Sequence, residues 1–251
     1  MPFSDDEIER YARHLVLAEV GGPGQQRLKA ARVGLVGLGG VGAPAGLYLA
    51  AAGIGTLRLI DDDTVALSNL QRQIAFDAAD IGRPKVEAGA AALTALNPHV
   101  TVETVAERLT EANAARLIEG CDVIIDGTDD FATRFAVNAA CVNSGVPLVS
   151  GALGRWSGQV GVFAGQPCYR CLVPDTPPDA ETCARVGVIG ALAGVVGSMA
   201  ALEAIKLIVG AGEPPAGRLL IYDGLAGTAR TASVAADPDC PVCAGVWSEI
   251  G

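Results

Sequence analysis

Residues 32–63 read RVGLVGLGGVG, APAGLYLAAAGIGT and LRLIDDD, and the fold is decided there. The stretch opens as a continuous apolar run of strand type. It breaks at Gly37-Leu38-Gly39-Gly40-Val41-Gly42, a G-x-G-x-x-G turn that opens a helix of small residues. The chain then returns as a second strand, LRLI, ending in Asp61. That order is a βαβ unit, in which glycines let backbone approach a phosphate at a helix N-terminus and the acid faces ribose hydroxyls. A glycine turn that merely packs helix on strand is the competing reading. The strand before it and the acid after it favour the nucleotide site, without saying which nucleotide.

Working outward, 251 residues of which 50% are apolar are enough for a full core and exclude disorder as the main state. Abundant alanine and glycine with few aromatics suit helices packed on a parallel sheet. A net charge of −10 repels phosphate backbones and anionic membranes, so neither a nucleic-acid nor a membrane partner is expected. Two uncharged runs imitate membrane spans. Residues 33–57 hold eight glycines and Pro44 and parse as strand, turn and helix. Residues 186–202 continue into Glu203 and Lys206 in helical register and read as a buried helix. The opening MPFSDDEIERYARHL lacks a basic region followed by an apolar one, so a cytoplasmic protein is expected. Seven cysteines, an odd number, then point to reduced thiols or metal.

Along the chain, Ser4 before DDEIERYARHLVL predicts a capped helix whose face carries Arg10 and Arg13, and GGPGQQRL predicts a loop or short helix. A helix with Pro84 in its first position is expected to stop at Asn97-Pro98. VTVETV reads as a third strand and TEANAARLIEG as a third helix. CDVIIDGTDD repeats the opening logic, with an apolar strand over residues 122–126 delivering a polar loop at its carboxyl end, where open α/β sheets bind ligands. Gly39, Asp61, Thr128 and Asp129 are therefore expected on one sheet edge. A helix and a strand complete the alternation to about residue 153. Beyond it come the β-type run GQVGVFAG, a cysteine pair, a polar loop, the apolar helix and RLLIYDG as a last strand. The expected fold is Rossmann-like: a doubly wound, mostly parallel sheet with a C-terminal mixed or antiparallel extension and a structural zinc site. One domain over residues 1–251 would comprise a nucleotide-binding half to about 153 and a zinc-clipped part from about 154.

Cys168/Cys171 and Cys240/Cys243 are two C-x-x-C pairs with 68 residues between them. Two such knuckles complete a tetrahedral four-thiolate site with no open position, hence a structural zinc that clips the C-terminal region to the middle of the chain. Two redox dithiols or chance pairs are weaker alternatives. Cations decide the phosphate chemistry. A pyrophosphate can be held by a glycine turn alone, whereas a triphosphate calls for fixed cations and a metal. Ser68-Asn69-Leu70-Gln71-Arg72-Gln73 offers amides and a guanidinium, Lys85 follows, and Asp129 is the natural magnesium ligand. Taken singly each is a solvated surface charge; together on one sheet edge they read as a grip on ATP. His14 and His99 read as surface or core residues, and Cys121 and Cys141 as core.

The segments RYARHLVL, VGLGGVG, LIDDDTVALSNLQRQ, GRPKVE, DGTDDFATR, GQVGVF, PCYRCL, ETCARVGVIGALAGVVGSMAALEAIK and CPVC resemble the MoeB/ThiF/HesA group, bacterial relatives of ubiquitin-activating enzymes, over nearly the whole chain. The resemblance implies an adenylyltransferase acting on the C-terminal glycine of a small ubiquitin-like sulfur carrier ending in Gly-Gly, of MoaD type first and ThiS type second. It implies that Gly40 lies against the nucleotide, in the same cofactor-binding turn as Gly37 and Gly39, and that Asp61 holds the ribose. Asn69, Arg72 and Lys85 would hold the phosphates and Asp129 the magnesium, with Ser68, Leu70, Gln71, Thr128 and Asp130 as further cofactor-binding residues. It also implies a homodimer in which Arg13 reaches the neighbouring site, and a separate sulfur donor is expected. Asp130 departs from the family's frequent asparagine; it would either alter magnesium affinity or face solvent. Cys183 occupies the position of a family cysteine that can join the carrier covalently, with Arg185 able to lower its pKa; a packing role stands equally open. An NAD-dependent dehydrogenase and a non-catalytic scaffold are the readings of other classes.

Overall fold

The computed structural model describes residues 3–176, 187–212 and 216–245. Its N-terminal helix α1 (Asp5–Arg10) begins as the sequence predicts: the Ser4 hydroxyl accepts from the Glu7 amide, and Glu7 returns the bond to the Ser4 amide. A four-residue turn, α2 (Ala12–Leu15), follows. GGPGQQRLKA is a full helix, α3 (Gly21–Ala30), where glycine and proline content weakens the signal and packing supplies the stability. Then come β1 (Arg32–Val36), α4 (Gly42–Ala52), β2 (Thr56–Ile60), α5 (Lys85–Leu96), β3 (Thr101–Val105), α6 (Ala114–Ile118), β4 (Val123–Asp126), α7 (Phe131–Ser144) and β5 (Leu148–Leu153). Pro84 is the N-cap of α5, one place before the position expected for it, and α6 occupies only the apolar core of its predicted segment.

The strands form one sheet in the order β3-β2-β1-β4-β5, all parallel, extended by β6 (Ser157–Phe163), β7 (Arg218–Asp223) and β8 (Thr228–Ser233), each antiparallel to its predecessor. RLLIYDG is therefore not the last strand. The strand after it, TARTAS, lies on the sheet edge and is almost wholly exposed, so it has no apolar alternation to announce it. A turn through Gly227 returns the chain, and hydrogen bonding to β7 makes it a strand.

Two apolar layers cover the sheet. One gathers Leu35, Leu49, Leu59, Val86, Leu93, Val149 and Val196 from the sheet, α4, α5 and the long helix α9 (Gly190–Val209), which follows the short α8 (Tyr169–Leu172). The other gathers Val36, Ile124, Leu117, Val137 and Phe163 with α6 and α7. The helix α9 is long and apolar enough to cross a membrane by length and composition, but it packs on α4, β5 and β6 and carries Leu192, Ala193, Val196 and Ala200 into the core. Cys121 and Cys141 sit in the second layer, where burial pushes both thiols up.

The α1–α2 corner is tied to this framework by one buried amide. Asn97, which ends α5, donates to the Tyr11 hydroxyl at 2.8 Å and to the Ala50 carbonyl at 2.7 Å, and it is fully buried. Tyr11 fits because Gly53, at φ +82° after α4, has no side chain; a Cβ there would fall 2.4 Å from the ring. Asn97→Ala takes a partner from the buried Tyr11 hydroxyl and one of two donors from the Ala50 carbonyl, which keeps the Gly53 amide, a loss of about 1–3 kcal/mol. Urea unfolding is expected to show a lower midpoint with an unchanged slope.

Candidate active site

Strand order reverses between β1 and β4, and a cavity of about 400 Å³ opens there, at the carboxyl ends of β1, β2, β4 and β5. Its floor is the glycine turn. The turn can sit against its own helix because Gly42 lacks a side chain: a Cβ would lie 1.9 Å from the Gly37 carbonyl oxygen. Asp61 fastens the turn to the end of β2, its carboxylate accepting from the amides of Leu38 at 2.6 Å and Asp63 at 2.8 Å. Burial raises the Asp61 pKa, against the lowering by Lys85 and these two N–H groups.

Gly37, Gly39, Gly40, Asp61, Asn69, Arg72, Lys85, Thr128, Asp129 and Asp130 all line this one cavity. The Lys85 ammonium, on the first residue of α5, is buried and stands 2.7 Å from Asp63 and 4.0 Å from Asp61. A short 3₁₀ turn over Leu67–Asn69 carries the Arg72 side chain over the glycines; its Cδ lies 3.7 Å from where a Gly40 Cβ would be, and its Nη1 donates to the Ser68 carbonyl. Ser68, Leu70 and Gln71 do not line the cavity: Leu70 packs on the core, and Gln71 lies against Gly190 at the start of α9. Arg13, in α2, is exposed and lies outside the cavity walls of its own chain. Cys183 and Arg185 lie outside the described residues. Asp129 is exposed on the wall after β4, a carboxylate open to a divalent ion such as magnesium.

Asp130 has a structural assignment that neither sequence reading foresaw. It caps α7, accepting from the Thr133 amide and hydroxyl, and it pairs with Arg108 at 3.2 Å. Burial alone would raise its pKa; the Thr133 hydrogen bonds and the Arg108 charge outweigh that and hold it below the ordinary aspartate value.

Three further residues stand in the wall: Gln73, expected only as one of the amides after Asp61, and Arg108 and Arg134, for which the sequence suggests no role. Gln73 is buried, and its Oε1 has no partner. Arg108, from the segment after β3, also stands 4.0 Å from Asp62. Arg134, one turn into α7, is buried and donates to the Thr128 carbonyl, to the Gly151 carbonyl at 2.8 Å and to the Ser150 hydroxyl at 3.1 Å, with Asp126 as its counter-charge at 3.7 Å. The only sequence signal was a polar stripe, Asp130, Arg134 and Asn138 four residues apart, along a mostly apolar helix. Charge at such a position is read by default as solvated.

The sulfurs of Cys168, Cys171, Cys240 and Cys243 lie within 4.8 Å of one another, with Cys168 to Cys240 at 3.7 Å and Cys171 to Cys243 at 3.5 Å. Tetrahedral zinc with bonds of about 2.3 Å separates its sulfurs by about 3.8 Å, so the cluster fits that ion. Asn138 and the Asp237 amide donate to two of the sulfurs, as thiolates require.

The ThiF family model matches residues 11–242. The chain is 46% identical over 240 residues to a SAMP-activating enzyme E1 of Haloferax volcanii, covering 94% of this chain and 89% of that one. It is 46% identical over 243 residues to a molybdopterin-synthase adenylyltransferase of Escherichia coli, covering 96% and 98%. To the sulfur carrier protein ThiS adenylyltransferase of the same organism it is 44% identical over 245 residues, covering 96% and 97%. Among solved structures, Escherichia coli MccB in complex with a form of MccA superposes with a TM-score of 0.84 at 23% identity, over 96% of this chain and 75% of that one, which is a likeness of fold.

Metal analysis of protein purified without chelator is expected to find zinc bound stoichiometrically, and its removal to lower the melting temperature. A carboxyl whose folded pKa lies below its unfolded one contributes stability that is complete above the unfolded value, near 4, and is lost as pH falls through the folded value. Asp130→Asn keeps a helix-capping oxygen, so stability at pH 7 should change by less than about 1 kcal/mol. Below about pH 4 the variant's stability is expected to fall less steeply than the parent's in acid titrations followed by circular dichroism.

Proposed function

The chain belongs to the ThiF family, and on that premise we propose that it is an ATP-dependent adenylyltransferase acting on the C-terminal glycine of a ubiquitin-like sulfur carrier. The observation that supports this most is the meeting of Arg72, Lys85 and Asp129 with the glycine turn in one cavity. The carrier is of MoaD type in this reading and of ThiS type in the second, since relatives with names of both kinds lie close together, at 46% and 44% identity.

The chemistry asks little of acid–base groups. A terminal carboxylate, with a pKa of about 3.5, is ionised at neutral pH and attacks the α-phosphorus without a base. The new bond joins carboxyl oxygen to phosphorus, the bond to the bridging oxygen breaks, and pyrophosphate leaves with its electron pair. The protein supplies position and positive charge. Arg72, above the glycines, would bind non-bridging phosphate oxygens in a fork. Lys85 would exchange its Asp63 partner for phosphate, a switch made easy by the exposure of Asp63. Asp129 would hold magnesium, which would supply positive charge against that of the departing pyrophosphate. Asp61, already accepting two amides, orients the turn and leaves remaining lone pairs for ribose hydroxyls. Gln73, with an unanswered buried acceptor, adds a neutral contact to the same wall. A dehydrogenase would need a proton-transfer group near the switch point; neither histidine lines this cavity.

Arg13 would complete the site of a second copy in a homodimer that acts in the cytoplasm with a separate sulfur donor. The nucleotide half and the four-cysteine part then work as one domain.

Pyrophosphate exchange is expected to depend on a carrier ending in Gly-Gly, and mass measurement of that carrier to show an AMP adduct. Arg72→Ala, Lys85→Ala and Asp129→Ala should each lower exchange by roughly 10²–10³-fold. Mixing inactive Arg13→Ala with inactive Lys85→Ala protein should restore part of the activity, because one site of each mixed dimer then carries neither lesion. Exchange that proceeds without a carrier, or with all three variants, would sink the assignment.

A further inference from the structure

We propose that Arg134 is a positioning residue for the nucleotide site, and that the four-cysteine knot holds it in place through Tyr169 and Asn138. The proposal rests on the adenylylation reading for what is positioned; the contacts themselves stand apart from it. Asp130, Arg134 and Asn138 are spaced four apart on α7 and so lie on one face of the helix. Each fixes a different neighbour. Asp130 caps the helix, Arg134 binds the loop after β4 and the strand β5 itself, and Asn138 binds the start of the cysteine segment.

The guanidinium of Arg134 is the joint. Its bond to the Thr128 carbonyl fixes the peptide immediately before Asp129, while Asp126 takes the Thr128 hydroxyl at 2.6 Å and its amide at 3.0 Å. The turn that presents Asp129 is therefore held from both sides. A buried cation with these partners cannot shift without leaving carbonyls unpaired.

On its other side Arg134 meets Tyr169, whose ring centre lies 5.8 Å from the guanidinium carbon. Tyr169 is buried, lines the cavity, and is wedged edge-on against Phe163 at 5.7 Å. It follows Cys168 in the chain. One side-chain amide ties both down: Asn138 accepts from the Tyr169 N–H at 2.8 Å and donates to the Cys168 sulfur at 3.4 Å. Where Cys168 sits in the knot thus sets where Tyr169 sits, and Tyr169 closes the pocket that orients Arg134. A metal whose only task was to clip the C-terminal region would need no such path into the cavity wall.

Coupling of this kind is reciprocal: if the knot orders the nucleotide loop, nucleotide must alter the knot. Cobalt(II) in place of zinc makes that visible through its thiolate charge-transfer band. Titrating the cobalt-loaded full chain with Mg-ATP is expected to change the band, with a midpoint equal to the dissociation constant from calorimetry. Arg134→Lys and Tyr169→Leu should abolish the change and raise that constant roughly tenfold. Both variants should also speed amide exchange at residues 127–129 in nucleotide-free protein. A band insensitive to saturating nucleotide in the parent, or a Tyr169→Leu variant that keeps both the change and the affinity, overturns the proposal. If the parent binds no Mg-ATP, the adenylylation reading fails instead. Amide exchange then decides the positioning role, with rates in both variants equal to the parent's counting against it.

Discussion

Two stretches of backbone, the turn after β1 and the loop after β4, come together at the point where the sheet reverses its winding, with almost no side chain between them. Gly42 permits the turn to fold under α4, and a Cβ on Gly127 would already lie 3.0 Å from the Gly42 nitrogen. This close approach of main chain is the constraint on which the rest depends. Amide groups are brought to the cavity floor, and the Asp61 carboxylate fixes the turn by accepting from Leu38. The helix of small residues that follows can then pack beneath the sheet, where a bulkier α4 would push the turn away from the cavity floor.

Charge is distributed in the same economical way. The chain carries a net charge of −10, yet Arg72, Lys85, Arg108 and Arg134 all line one cavity. Each meets an acid or a carbonyl in the absence of ligand: Lys85 with Asp63, Arg108 with Asp130, Arg134 with Asp126, Arg72 with the Ser68 carbonyl. These pairs differ in burial, and burial separates their roles. The Lys85 partner is exposed and exchangeable, whereas the Arg134 partner is sealed in the sheet and holds its cation permanently. Mobile cations suit a ligand that arrives and leaves; a locked one suits the frame around it.

How much was legible depended on whether a signal was local. The βαβ order, the capping of α1 at Ser4, the acid at the end of β2 and the paired cysteines all show in contiguous residues, because helical and strand periodicity and knuckle spacing are short-range properties. TARTAS was not legible, since an exposed edge strand owes its conformation to the neighbour it pairs with. Asp130 was read as a carboxylate beside a metal or in solvent; its capping of α7 and its pairing with Arg108, 22 residues earlier, were not visible.

The sequence alone determined that a glycine turn follows the first strand, that an acid ends the second, and that four cysteines come as two closely spaced pairs, because each is written within a few adjacent residues. Only the tertiary structure decided that Arg72, Lys85 and Asp129 share a cavity, that Gln73 is sealed with an unanswered oxygen, and that α7 joins that cavity to the cysteines. Those outcomes follow from which strand lies beside which. When β4 pairs with β1, residues some ninety positions apart become neighbours, and a charge read as solvated becomes buried among carbonyls.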